Sequence, residues 1–346
     1  MQRPRFVRLK KALLDSRKPD RQSLSICKAG RWLSLLVVIS LISCEDVVER
    51  PIQWNRMADF PGTPRASATA FSIGQKAYVC FGRSGDYAGY LNDFWEYDAT
   101  TDTWTQKANF PGEARVKAVA GVINGKAYVG LGAKGAYEST NLFKDWWEYD
   151  PSTDQWTQKA SLPDSASNDL SATVINGRLY TTMGFNGISF CNCTFCYEPI
   201  TNTWTKLATA PRCYSGKACF AIGDYFYVGS GFRGYNVPLF FRYNTTNDTW
   251  KEVSSLPKGR ILSNGMSLAG KGYVMLGRYW NGEQNHGRLL SDVVEYDPTK
   301  DEWTPRGDFA GGARQNAVTF VIDSVGYVLL GETNTERKRD VWTFKP

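Results

Sequence analysis

The sequence predicts an all-β chain folded as a six-bladed β-propeller and closed by its own N-terminal strand. Three observations carry that expectation. Tryptophan recurs at positions 54, 104, 156, 204, 250 and 303, at spacings of 50, 52, 48, 46 and 53 residues. Five of these tryptophans end one shared hairpin signature: YDATTDTW (97–104), YDPSTDQW (149–156), YEPITNTW (197–204), YNTTNDTW (243–250) and YDPTKDEW (296–303). Each interval also holds four strand-like segments, and four antiparallel strands in about 50 residues make one propeller blade.

The innermost strand is read from small-residue alternation such as Ala66-Ser-Ala-Thr-Ala-Phe-Ser-Ile73, because small side chains suit strands crowded round an axis. The second strand is Lys76-Ala-Tyr-Val-Cys-Phe-Gly82, paralleled at 126–132, 178–184, 226–231, 272–277 and 326–331. The third is Asp93-Phe-Trp-Glu-Tyr97, with counterparts at 145–149, 292–296 and 340–344. The fourth carries the tryptophan. It is reached through Asp, Asn, Pro and Thr, the residues of hairpin turns. The last unit stops at its third strand, Val341-Trp-Thr-Phe-Lys-Pro346, while Ile52-Gln53-Trp54 is a fourth strand with no partner. Pairing the two completes blade six and removes an open sheet edge. Trp54 is therefore expected to be structural.

Ahead of the repeats lies a leader over 1–44, then a linker over 45–51, with the propeller over 52–346. The leader is basic up to Arg31, followed by the apolar run Trp32–Ser43 and Cys44. Twelve residues are too few to span a bilayer as a helix, which needs about 20. Such a stretch reads as a signal peptide. Leu41-Ile42-Ser43-Cys44 resembles the bacterial lipobox, which implies a lipid on Cys44 as mature N-terminus and attachment to a membrane of the cell envelope, on its periplasmic or outer-membrane surface. Glu45, Asp46 and Glu49 then resemble the acidic surface-export signal of some Bacteroidetes lipoproteins. The leader also explains the formal charge of +7. Residues 1–44 hold ten of the 41 Lys and Arg and two of the 34 Asp and Glu, leaving 31 basic and 32 acidic residues. That near-neutral remainder gives no argument for nucleic acid.

Over residues 52–346 the pattern resembles the kelch repeat, whose units carry a double glycine after the second strand, then a Tyr and a Trp at fixed spacing. The second glycine is kept throughout (Gly82, Gly132, Gly184, Gly231, Gly277, Gly331), whereas the first is Phe81, Leu131, Met183, Ser230, Leu276 or Leu330. This departure looks like the divergent kelch proteins among secreted bacterial lipoproteins, often labelled galactose-oxidase-like. It weakens transfer of function from eukaryotic kelch adaptors.

The resemblance implies that ligands meet the face formed by the loops leading into the first strand and those joining the second to the third. Arg65, Arg115, Arg260 and Arg314 share one register there, broken by Ser167 and Tyr214 in blades three and four. Arg83, Lys134, Arg233 and Arg278 follow the second strand on the same face. The expected picture is a guanidinium ring at the axial mouth that binds an acidic glycan or protein, since arginine matches carboxylates bidentately. The alternative pairs each arginine with a local acid such as Glu113, Asp86 or Glu332. Aromatics crowd the same loops: Tyr87, Tyr90, Tyr137, Phe185, Phe190, Phe232, Tyr235, Tyr279 and Trp280. Such rings suit sugar faces or protein hot spots.

A non-catalytic binding module is the leading reading, with no cofactor and no metal. The alternative is an epimerase resembling the kelch-type sialic acid mutarotases, for which Glu113 and Arg115 are the candidate pair. The single histidine, His286, cannot rebuild the two-histidine copper site of galactose oxidase and lies in a Gly/Asn-rich loop. Cys80 and Cys219 read as buried thiols within strands. Cys191, Cys193 and Cys196 form C-x-C-x-x-C, with Cys213 in the next loop. A bridge from Cys191 or Cys193 to Cys213 is the expected pairing, with unpaired thiols or a thiolate zinc site, for which the usual paired C-x-x-C spacing is absent, as the alternatives.

Overall fold

The computed structural model describes residues 51–85, 89–135, 141–164, 167–280 and 287–346. Cys44 and the leader, Asp86, Tyr87, Tyr137 and His286 lie outside the described residues. Those described form six four-stranded antiparallel sheets with no helix. Blade one runs from the inside out as Thr69–Ile73, Lys76–Cys80, Phe94–Asp98 and Thr103–Lys107, and blades two to five repeat this order. Here the four strands of each blade are called a to d. Each strand a packs on the next round the ring, the last against the first. Alanines 68, 70, 118, 120, 172 and 317 line the axis, as the small-residue alternation predicts. Gly265 shows why: a Cβ there would run into the backbone of Cys219 on the neighbouring strand a.

Blade six closes the ring. Its strands Val318–Ile322, Val325–Leu329 and Val341–Lys345 are completed by Gln53–Met57, with Trp54 opposite Phe344. The Trp54 ring lies 4.7 Å from Phe309 of blade five and 4.8 Å from Phe344. Its Nε1 donates to the Asp308 carbonyl at 3.0 Å.

The recurring hairpin signature is an inter-blade clamp. In blade one Tyr97 donates to Asp102 at 2.7 Å, and the Asp102 carboxylate accepts the amide of Ala58, which follows strand d of blade six, at 3.0 Å. Trp104 Nε1 donates to the carbonyl of the same Ala58 at 3.3 Å. Asp102 sits at φ 53°, a left-handed conformation that Asp and Asn tolerate better than other side chains. The same triad holds Ala108 through Asp154 and Trp156, Ala160 through Asn202 and Trp204, Ala208 through Asp248 and Trp250, and Ser254 through Asp301 and Trp303. At the closure Phe344 stands where the tyrosine would be, so Trp54 alone repeats the contact.

Candidate functional site

The four strand-a arginines do not form a ring open to ligand. Arg65, Arg115, Arg260 and Arg314 are each 0% exposed. Each forms a two-pronged pair with an aspartate at or just before the start of strand c in its own blade. The distances are 2.6 and 2.7 Å for Arg65–Asp93, 2.6 and 2.8 Å for Arg115–Asp145, 3.1 and 2.6 Å for Arg260–Asp292, and 2.5 and 2.8 Å for Arg314–Asp340. Nη1 of each also donates to the carbonyl of the residue before the retained glycine: Phe81, Leu131, Leu276 or Leu330. Three guanidiniums lie 4.8–4.9 Å from the ring of Phe60, Phe110 or Phe309. A desolvated guanidinium needs such partners, because an unpaired buried charge is prohibitively costly. These arginines therefore rivet strand a to strand c. Burial alone would raise the Asp93 and Asp340 carboxyls. The arginine hydrogen bonds and charge, with a bond from Trp95 or Trp342, outweigh it and hold both below the ordinary carboxylate range. In blades three and four the arginine becomes Ser167 or Tyr214, and the aspartate position becomes Cys193 or Leu239.

Two residues beyond each arginine position the chain turns left-handed at the neck of the axis: Ser67, Lys117, Asp169, Gly216, Leu262 and Asn316 have φ of 53–65°. Amides pass from blade to blade there, Lys117 to Ser67, Ser67 to Asn316, Asn316 to Leu262 and Leu262 to Gly216, at 2.7–3.2 Å. Between blades three and four the pattern changes. The Gly216 amide donates to the Asp169 carboxylate, and Lys217 Nζ donates to the Asp169 carbonyl at 2.6 Å. The cavity at this neck holds about 130 Å³, and the axial channel below it about 230 Å³.

The second series of cations lies on the b–c loop face. Arg83 reaches Glu332 at 3.3 Å, and Arg337 reaches the other oxygen at 3.4 Å. Arg278 bonds Gln315 at 2.8 Å and Asn334 at 2.6 Å, while Gln315 and Asn316 both donate to Glu332. Three arginines thus gather round one carboxylate across blades five, six and one. Arg83 thus meets an acid, as in the alternative reading, but one from the neighbouring blade six rather than its own loop. Arg233 is exposed, with its guanidinium 5.9 Å from the Phe190 ring.

The Glu113 carboxylate and the Arg115 guanidinium are not paired with each other. Arg115 Nε donates to the Glu113 backbone carbonyl, whereas the Glu113 carboxylate points to Lys134 Nζ at 2.9 Å. The Lys134 hydrogen bond and charge draw the Glu113 carboxyl below its ordinary range, which suits an exposed ion pair rather than a general acid.

Among the loop aromatics, Phe232 stacks on Trp280 at 5.2 Å and 15°, Tyr279 lies under Lys258 at 4.7 Å, and Phe185 meets Phe190 at 5.4 Å. Tyr90 bonds the Gly135 backbone and so ties the loops of blades one and two together. Among the described residues the large apolar side chains that stand exposed are Ile188, Ile200, Tyr235 and Trp280. Ile188, Tyr235 and Trp280 belong to the b–c loops of blades three, four and five.

The expected bridge is not formed: Cys191, Cys193 and Cys213 are free thiols. Cys213 is buried, its Sγ 2.9 Å from the Cys191 carbonyl and 3.3 Å from that of Gly184. Burial pushes its thiol up to about 11, so it is protonated at neutral pH and slow to exchange. Cys80 is fully buried, and Cys219 lines the axial channel.

Residues 64–111 and 167–211 match the Kelch motif family. The chain is a six-bladed propeller in which these two stretches match kelch motifs. Kelch-like protein 25 of Xenopus tropicalis is 29% identical, over 71% of this chain and 41% of that protein. Kelch-like protein 35 of Mus musculus is 26% identical, over 59% and 34%. Kelch-like protein terF of Aspergillus terreus is 26% identical, over 57% and 44%. The chain spans less than half the length of these curated relatives. Among solved structures, that of YjhT superposes with a TM-score of 0.68 at 19% identity, over 82% of this chain and 95% of that one, a likeness of fold. The departure from the kelch double glycine is a matter of side chain and not of backbone. Phe81, Leu131, Met183, Ser230, Leu276 and Leu330 all keep positive φ, between 52° and 66°, and all are fully buried. Each accepts a left-handed conformation costing about 1–2 kcal/mol. For the five apolar ones, burying a large side chain at a blade interface offsets it at about 1.5–3 kcal/mol.

Proposed function

We propose that this kelch propeller is a binding module without catalysis, and that it takes an acidic ligand on the b–c loop face of blades three to five. One observation carries the reading: Ile188, Tyr235 and Trp280 stand exposed in the same loops of three consecutive blades. Exposed apolar patches rimmed by polar groups mark interaction surfaces, and Trp, Tyr and Arg dominate binding hot spots. Exposed Arg212 and Arg233, with Lys258, supply cations around those rings. The arginine group of Arg83, Arg278 and Arg337 extends the positive character across the axial mouth. The neck and channel, at about 130 and 230 Å³, are smaller than ordinary small-molecule pockets of about 300–1,000 Å³. That favours an extended ligand lying on the face, an acidic polypeptide segment or acidic polysaccharide, over a sugar enclosed on the axis. We also propose that a lipid on Cys44 holds the module at a membrane of the cell envelope.

Calorimetric titration of the purified chain with polyglutamate, polygalacturonate and uncharged dextran tests the ligand class. The two polyanions should bind, with affinity falling as salt rises, and dextran should not. Equal binding of dextran would overturn the acidic assignment.

A further inference from the structure

The opposite end of the blades carries a second site. In blades one, two and five the strand-b tyrosine donates to the glutamate facing it on strand c: Tyr78 to Glu96 at 2.8 Å, Tyr128 to Glu148 at 2.8 Å and Tyr273 to Glu295 at 2.6 Å. In blades two and five a strand-d cation completes the group, Lys159 at 3.3 Å from Glu148 and Arg306 on Glu295. Blade three replaces both members of that pair. Cys196 faces Tyr180 where the glutamate would be, and Leu207 takes the place of the lysine. Both side chains are shorter than those they replace, and a cleft of about 360 Å³ lies between the hairpin ends of blades three and four.

Its inner wall is Tyr180, Cys196, Leu207 and Tyr243, and Thr201, Thr203, Thr205, Thr245 and Thr246 line the rest. The Thr201 and Thr203 hydroxyls bond each other at 2.7 Å, and that of Thr245 donates to the Asp224 carbonyl at 3.0 Å. Arg178 pairs with Glu198 at 2.7 Å, and Asp248 accepts from Tyr243 at 2.6 Å and from the Ala208 amide at 2.8 Å. The lining cation is thus paired with an acid, and Asp248, held by neutral donors, repels an anion, so the site does not suit an anionic ligand. It offers an apolar wall and, at its rim, the Thr205 and Thr246 hydroxyls, each both donor and acceptor, in a volume within the range of small-molecule sites. A monosaccharide unit has that complement of an apolar ring face and a hydroxyl edge. We infer that the cleft between blades three and four is a binding site for a neutral sugar, independent of the acidic-ligand face at the other end of the blades.

The test follows threonine methyl signals of the purified chain by NMR during titration with D-glucose, D-galactose and D-mannose, with D-glucuronate as charged control. Saturable shifts at Thr205 and Thr246 with at least one neutral sugar are expected. They should vanish in Cys196→Glu/Leu207→Lys, which rebuilds the charged pair of blade two and fills the cleft. Thr246→Val, a smaller change that leaves the core untouched, should weaken binding by about tenfold, the loss of one good hydrogen bond. The inference is overturned if no neutral sugar shifts these signals, if glucuronate alone does, or if the filled variant binds like wild type. Polyanion binding at the loop face should be the same in all these proteins, so failure of either site reads separately.

Discussion

Replacing Arg115 with methionine keeps the aliphatic stem and removes the charge. It takes away both bonds to Asp145, at 2.6 and 2.8 Å, and those to the Leu131 and Glu113 carbonyls at 3.0 and 2.9 Å. The guanidinium also leaves the Phe143 and Phe110 rings, 4.2 and 4.9 Å away. Removing one member of a buried pair typically costs about 3–5 kcal/mol, because the other charge is left behind. Asp145 keeps 22% of its side chain exposed, so water relieves part of that burden. The expected loss is the lower figure, about 3 kcal/mol. Equilibrium urea unfolding measures it. The double variant Arg115→Met/Asp145→Leu should recover part of that loss, since blades three and four dispense with both partners together, and the cycle should return a favourable coupling. Affinity of the folded single variant for polyglutamate should equal that of wild type. A loss below about 1 kcal/mol, outside the range for breaking a buried pair, or weakened polyanion binding at unchanged stability, would refute a structural role for these arginines.

The same pairs set an acid limit. Asp93 and Asp340 have depressed pKa values, so their contribution is present above the unfolded carboxylate value of about 3.9 and is lost as pH falls through the folded values. A thermal-unfolding series should therefore be level from neutral pH down to about 4 and fall steeply below; a steep fall starting near neutrality would contradict this. Trp54→Ala should lower stability by about 2–3 kcal/mol in urea unfolding, as a partly buried ring at the closure, and an unchanged midpoint would show that closure does not depend on it. Phe81→Gly should destabilise despite relieving a left-handed residue, because the buried ring is worth more than the backbone strain. Cys44→Ser should release the chain from membranes on fractionation, and unchanged membrane association would contradict lipid attachment.

The blades were legible because each repeats a pattern whose period and turn chemistry are local. The tryptophan spacing and the Tyr–Asp–Trp hairpin mark strands c and d directly, and the unpaired Ile52–Trp54 segment marks the closure. The arginine register was also legible, but its meaning was misread. The deciding signal was a correlation between two segments: blades with Arg65, Arg115, Arg260 and Arg314 are the blades whose strand c is led by Asp93, Asp145, Asp292 and Asp340. Blades lacking one lack the other. Two residues about 30 apart that appear and disappear together point to a pair, and a pair buries where a ring of like charges cannot. The cysteine pairing failed for a different reason. Thiol geometry depends on how the loop before Cys213 folds under blade three, and alternation along one strand carries no information about that. The exposed aromatics could be named but not ranked, since exposure depends on which ring stacks on which, as Phe232 on Trp280.

We propose that an acidic ligand binds the b–c loop face of blades three to five. The most direct test compares polyglutamate binding isotherms of wild type and Tyr235→Ala/Trp280→Ala. Tyr235 is exposed, while Trp280 stacks on Phe232, so the double variant should stay folded with a urea midpoint slightly below that of wild type. Its affinity should fall by about tenfold or more, the worth of two aromatic contacts at a hot spot. Wild-type affinity in the double variant, with the fold intact, would contradict it.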